Sequence, residues 1–108
     1  MPNLDLNATI AKAKLTNYLL VRLPQDDKFQ FLEQAGYTLE NWQQLEKDLR
    51  EQILTLDAVP TTMTEYGQKY EIVGNLTGVN GKILSIKTIW IVTPIETKFV
   101  TLIPQIES

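Results

Sequence analysis

The sequence predicts an α+β domain, with three N-terminal helices packed on one face of a four-stranded antiparallel meander. The sheet is read from two arms rich in β-branched and aromatic residues, Tyr66 to Leu76 and Lys82 to Val92. Between them Gly78-Val79-Asn80-Gly81 supplies the Asn-Gly pair that a tight turn with positive φ requires. The helical cover is read from the first half of the chain, where apolar residues recur at steps of three and four. The 108 residues make one domain, long enough to bury roughly two thirds of its unfolded surface without a metal or disulfide. Met1 to Asn7 and Gln105 to Ser108 read as loose ends.

Leu15, Tyr18 and Leu19 share one side of a short helix over Ala11 to Leu20, which Pro24 ends. Asp26 is placed to cap a second helix through Ala35, with Phe29, Phe31 and Leu32 as its apolar face and Gly36 as its left-handed stop. Thr38 opens the longest helix, whose Trp42, Leu45, Leu49, Ile53 and Leu56 lie on one face. Gln43, Glu46, Lys47, Arg50 and Glu51 form its solvated face, with Glu46 four residues before Arg50. Val59 to Met63, broken by Pro60, reads as an edge strand, where a missing donor does least harm. The hairpin follows, and Lys98 to Ile103 is the last strand.

Strand alternation assigns the faces. Tyr70, Ile72, Gly74 and Leu76 on the first arm, with Leu84, Ile86, Thr88, Trp90 and Val92 on the second, should meet the helices. The expected core is Trp42, Leu45, Leu49, Ile53, Tyr70, Ile72, Ile86 and Trp90. On the other face, strict alternation gathers Val73, Ile83, Ile89, Ile91, Val100 and Leu102 into an aliphatic patch of several hundred Å², larger than a soluble monomer usually leaves in water. It is expected to be an interface, with a homodimer as its simplest form because a two-fold axis lets one patch cover itself. Lys69, Lys87 and Lys98 border it, and their aliphatic stems could cover part of it instead.

Composition excludes several chemistries. The chain has no cysteine, hence no disulfide, thiolate nucleophile or thiolate metal site, and no histidine, the commonest general base and metal ligand. No cofactor or metal is expected, and no membrane span, since the apolar runs fall far short of the ~20 residues required. A cytoplasmic location is expected. The net charge of −3 argues against nucleic-acid affinity built on the whole-chain field. Asp26-Asp27 reads as a helix cap rather than a cation loop, and the Gly78 to Gly81 turn, which precedes no helix, is not a phosphate loop.

Tyr66, Tyr70, Thr88, Trp90 and Thr101 put hydroxyls and an indole among aliphatics on strands expected to be adjacent. A ligand pocket there, with Lys28 or Lys69 supplying charge, competes with a plain reading as satisfied core hydroxyls and aromatic filler. Thr88, Trp90 and Thr101 are the candidate ligand-binding residues, and Lys28, Tyr66, Lys69 and Tyr70 the candidates for catalysis if the protein is an enzyme.

Lys14-Leu15-Thr16-Asn17-Tyr18-Leu19-Leu20, Asp27-Lys28-Phe29, Gly36-Tyr37, Trp42, Tyr66-Gly67-Gln68-Lys69-Tyr70, Leu76-Thr77-Gly78, Asn80-Gly81, Thr88-Ile89-Trp90 and Phe99-Val100-Thr101 together make a pattern that spans nearly the whole chain. In it the chain resembles a family of small bacterial domains of unknown function, frequent in cyanobacteria and also found at the C-termini of polymorphic toxins. The resemblance implies a toxin or toxin-partner setting and names no activity. The layout is also similar, as a fold-level analogy, to small metal-independent ribonuclease toxins. Family members often carry Asn-Pro-x-His-Pro-x-Gly before the lysine corresponding to Lys28, whereas this chain has Val21-Arg22-Leu23-Pro24-Gln25-Asp26-Asp27 and no histidine. The expected function is a non-catalytic partner-binding module in a toxin-antitoxin or immunity-like setting. The alternative is a metal-independent ribonuclease, the one reading in which nucleic acid is the partner.

Overall fold

The computed structural model describes residues 3–21 and 28–105. Its four strands are β1 (Val59–Thr64), β2 (Gly67–Thr77), β3 (Ile83–Val92) and β4 (Thr97–Pro104), all antiparallel and ordered in space as in the chain. The β2–β3 hairpin pairs without interruption from Gln68↔Val92 to Thr77↔Ile83, as its β-branched arms predict. β1 lies at the sheet's edge, and its register slips between Pro60 and Met63.

Among the described residues the helical half has three parts. The first, α1, is α-helical over Lys12–Lys14 and continues as a wider π turn over Leu15–Leu19, where the Leu20 N–H reaches the Leu15 carbonyl. The second, α2, is Phe29–Glu33. The third, α3, opens with a 3-10 turn at Leu39–Asn41, is α-helical over Trp42–Asp48 and ends in a π turn at Leu49–Ile53. Pro24 and Asp26, expected to end the first helix and cap the second, lie outside the described residues.

Local chemistry sets the helix ends. Gly36, at φ +91°, closes α2 with two backbone bonds, Tyr37 N–H to the Leu32 carbonyl and Gly36 N–H to the Glu33 carbonyl. This is the left-handed stop expected of a glycine at that position. Two further carbonyls near this end of α2 are met by the hairpin turn, since Asn80 donates its backbone N–H to Ala35 and its side-chain amide to Gln34. Gly78 lies so close beneath that a Cβ there would stand 2.3 Å from the Ala35 oxygen. At the start of α3 the Thr38 N–H donates to Asn41 Oδ1 at 2.7 Å, and Asn41 Nδ2 returns to the Gly36 carbonyl.

Leu15, Leu19, Leu32, Leu45, Leu49 and Ile53 are fully buried against Ile72, Leu76, Ile86, Trp90 and Leu102 of the sheet. Trp42 and Tyr70 of the expected core are only partly buried, and Leu56, expected on the buried face of α3, is exposed because the helix stops at Ile53. The N-terminal end differs from expectation too. Leu4 is buried in the core, Asn3 donates to the Thr55 carbonyl, and Ala8 and Ile10 are buried. At the other end the Gln105 N–H donates to the Ser85 carbonyl.

Candidate functional site

The site is made by a departure from alternation in β4. Trp90 pairs with Phe99 and Ile89 with Thr101, so Val100 is an extra residue, a bulge. Because side chains alternate with period two, one extra residue exchanges the faces of everything after it. Phe99 and Leu102 therefore both face the core, at 3% and 0% exposure, while Thr101 and Ile103 turn to the outer face. Energy favours this exchange. Burying Leu102 in place of Thr101 is worth about 2 kcal/mol, whereas the bulge gives up a ladder bond worth about 1 kcal/mol. Phe99 then meets Trp90 edge to face, with ring centroids 5.2 Å apart.

The N-terminal segment brings α1 to the same strand. Thr9 forms a parallel bridge to Lys98, its N–H donating to the Thr97 carbonyl and its carbonyl accepting from the Phe99 N–H. Arg50, paired with Glu46 as the i,i+4 spacing predicts, also donates to the Ala8 carbonyl and ties this segment to α3. The buried Leu15 and Leu19 fix the rotation of α1, so Lys14 and Tyr18, four residues apart, share a face at the β4 edge.

Tyr18 stands at the centre of the cluster. Its hydroxyl lies 3.0 Å from Thr101 Oγ1 and accepts a hydrogen bond from Lys28 Nζ at 3.2 Å. The Lys28 ammonium lies 5.5 Å from the Tyr18 ring centroid and the Lys14 ammonium 5.9 Å from it, both in cation–π range. Lys14, Tyr18, Lys28, Val100, Thr101 and Ile103 line an open groove of about 740 Å³. Among the described residues its polar groups are two ammoniums and two hydroxyls, with aliphatic side chains on the strand side. Among the described residues neither lysine forms an ion pair with a carboxylate.

Of the candidate ligand-binding and catalytic residues, Lys28 and Thr101 meet in this groove, beside Val100 of the expected aliphatic patch, and the other candidates for binding and catalysis do not join them. Thr88 and Trp90 are completely buried, the indole donating to Thr88 Oγ1 at 2.7 Å and that hydroxyl to the Ile72 carbonyl. They are satisfied core groups, and Thr101 is separated from them by the bulge. Lys69 and Tyr70, adjacent on β2, point to opposite faces of the sheet. Tyr66, 72% exposed, lines a separate apolar depression with Ile91, Pro94 and Ile95. The proposed catalytic quartet is thus not assembled in one place. Lys14 and Tyr18 were missed as site residues, although they stand four apart within the segment that carried the family resemblance.

On the outer face Val73 and Ile83 are exposed, and Ile89, Ile91 and Val100 are half-buried, as alternation predicts. Leu102 is not there, because the bulge turns it into the core, and Ile103 takes its place at 39% exposure. Across the strands this face reads Lys69–Ile91–Lys98, then Glu71–Ile89–Thr101, then Val73–Lys87–Ile103. Lys87 approaches Glu71 at 3.7 Å and Lys98 approaches Glu96 at 3.8 Å.

The opposite side of the molecule holds a buried polar pair that the sequence reading did not single out. Tyr37 is fully buried, and its hydroxyl donates to Asp48 Oδ2 at 2.5 Å, while Gln44 donates to Asp48 Oδ1 at 2.8 Å. Burial first, then the hydrogen bond to Asp48 and its negative charge, push the Tyr37 phenol well above the usual tyrosine range. Gln52 pairs with the backbone of Thr77 in both directions, joining α3 to β2 beside this pair.

Among the described residues no group of three or more acidic side chains is placed to hold a metal ion, and no helix is long and apolar enough to cross a membrane. Asp26-Asp27 lie outside those residues. The fold defines a small α+β domain with a four-stranded antiparallel sheet covered by helices on one side. The chain belongs to a family described as a domain of unknown function (DUF6883), whose model matches residues 1–106. No curated protein and no solved structure matches the chain.

Proposed function

We propose that the domain is a non-catalytic partner-binding module whose outer sheet face receives an acidic protein. The setting is cytoplasmic and of the toxin-antitoxin or immunity-like kind that the family resemblance implies. The observation that carries this reading is the make-up of that face. Ile89 and Ile91 form an aliphatic centre flanked by Val73 and Ile103, and Lys69, Lys87 and Lys98 surround it while Glu71 and Glu96 offset only part of their charge. The chain as a whole carries −3, so this face is basic on an acidic protein. An apolar centre inside a charged rim is the pattern of a protein interface. Two-fold pairing of the face with itself would set its net positive charge against an equal charge, and an acidic partner avoids that cost.

The ribonuclease alternative needs its lysines and tyrosines around one phosphate. Lys28 lies at the β4 edge, about 10 Å or two strand spacings from β2, and Tyr70 faces the opposite side of the sheet from Lys69. Expression of the chain alone in a bacterial host is therefore expected to be harmless. Co-expression with the product of an adjacent gene should give a complex that survives purification and is lost in an Ile89→Lys, Ile91→Glu variant that still folds. Growth arrest by the wild type that disappears in Lys28→Ala would overturn this reading in favour of catalysis.

A further inference from the structure

We infer that the groove at the β4 edge is a binding site for a phosphate group, carried by a small molecule that also has an apolar part. The inference stands apart from the proposal for the sheet face, because it uses different residues and asks for no protein partner. Three observations converge on it. Lys14 and Lys28 both stand in cation–π range of one aromatic ring, which holds two like charges near one another in spite of their repulsion. Among the described residues no carboxylate neutralises either of them, although the chain has an excess of acids. The hydroxyls form a chain: Lys28 donates to Tyr18, and when Tyr18 donates in turn to Thr101, the Thr101 proton is left to donate into the groove.

The site thus offers ammonium and hydroxyl donors and lies against the aliphatic surface of Val100 and Ile103. The choice of anion follows from the donors. A planar carboxylate is matched best by the flat fork of a guanidinium, and among the described residues that line the groove the cations are both lysines. Ammoniums act as point charges without a preferred plane, and they suit the tetrahedral array of oxygens on a phosphate. The bulge is what makes the site possible, since with strict alternation Thr101 would lie in the core and Leu102 would stand in its place.

The test is a titration of the full chain with inorganic phosphate, followed by ¹H–¹⁵N NMR at low ionic strength, with succinate as a parallel arm. The expected result is saturable binding of phosphate with shifts centred on Tyr18, Val100, Thr101 and Ile103, and little response to succinate. A Lys14→Gln, Lys28→Gln double variant should bind about tenfold more weakly or worse, because charge-assisted contacts are lost. Thr101→Val, which keeps the shape of the side chain, should weaken binding more mildly. Lys82→Gln, in the distant hairpin turn, should leave affinity unchanged and serves as the control for net charge. Shifts scattered over all the lysines, affinity retained in the folded double variant, or succinate bound as tightly as phosphate would each overturn the assignment.

Discussion

Tyr37 holds its phenolic proton against Asp48 in the interior, and the two residues depend on one another. Asp48 is only 7% exposed, and its second oxygen is met by Gln44, so loss of the tyrosine hydroxyl leaves a buried carboxylate oxygen without its shortest bond. Tyr37→Phe is expected to cost about 1–3 kcal/mol at neutral pH, the usual penalty for a buried acceptor left unmade. The pH dependence has a definite sign. An unfolded chain releases the Tyr37 proton near pH ~10, whereas the folded chain keeps it, because burial and the Asp48 charge raise its pKa. The stability contributed by this raised pKa is fully present below pH ~10 and is lost as pH climbs above it. Urea midpoints measured at pH of about 8 and about 11 should therefore converge between wild type and Tyr37→Phe. A gap that stays constant between the two pH values would sink the idea. The pair was not visible from sequence, because Tyr37 precedes α3 and Asp48 reads as one more polar residue on a helix.

The decisive element is β4. Strict alternation puts Ile89 of β3 and Leu102 of β4 on one face, and the bulge at Val100 separates them into outer face and core. The two positions should therefore respond oppositely to substitution. Leu102→Ala is expected to cost about 2–5 kcal/mol, as for a fully buried leucine, while Ile89→Lys, on the half-exposed face, should stay within about 1 kcal/mol. Thermal melts of the two variants decide it, and equal losses would mean that the strand keeps simple alternation. The hairpin shows the contrary case, since its turn and its uninterrupted register both follow from the local sequence, with Asn-Gly at the turn and apolar residues alternating on each arm. What the turn residues did not reveal is their second task, in which Asn80 meets carbonyls beyond the end of α2 and Gly78 leaves room for Ala35.

At the scale of the whole molecule, charge is sorted by side. Among the described residues Glu33, Glu40, Glu46, Asp48 and Glu51 lie on the helices, and the outer sheet face and β4 edge collect Lys14, Lys28, Lys69, Lys87 and Lys98, offset in part by Glu71 and Glu96. Such an arrangement resists self-pairing through the sheet at low ionic strength, and salt relieves the repulsion over a Debye length of about 10 Å at 0.1 M. Light scattering should find a monomer in dilute buffer, with any self-association rising as salt is added. A dimer that forms in dilute buffer and comes apart in salt would reverse the argument and point to an ion-paired homodimer.

By itself the sequence determined the α+β class, the hairpin and its turn, the left-handed stop at Gly36, the start of α3 near Thr38 and the centre of the core at Leu45, Leu49, Ile53, Ile72, Ile86 and Trp90. Each of these rests on propensity, periodicity or capping over a few neighbouring residues, and such information is local. Tertiary structure decided which face Thr101 and Leu102 take, that Leu4 is buried, and that Lys14, Tyr18, Lys28 and Thr101 meet at one edge. A bulge is settled by competition between a leucine and a threonine for one place in a core that helices far away in sequence enclose. That competition is a property of the packed molecule and leaves no mark in the alternation of the strand.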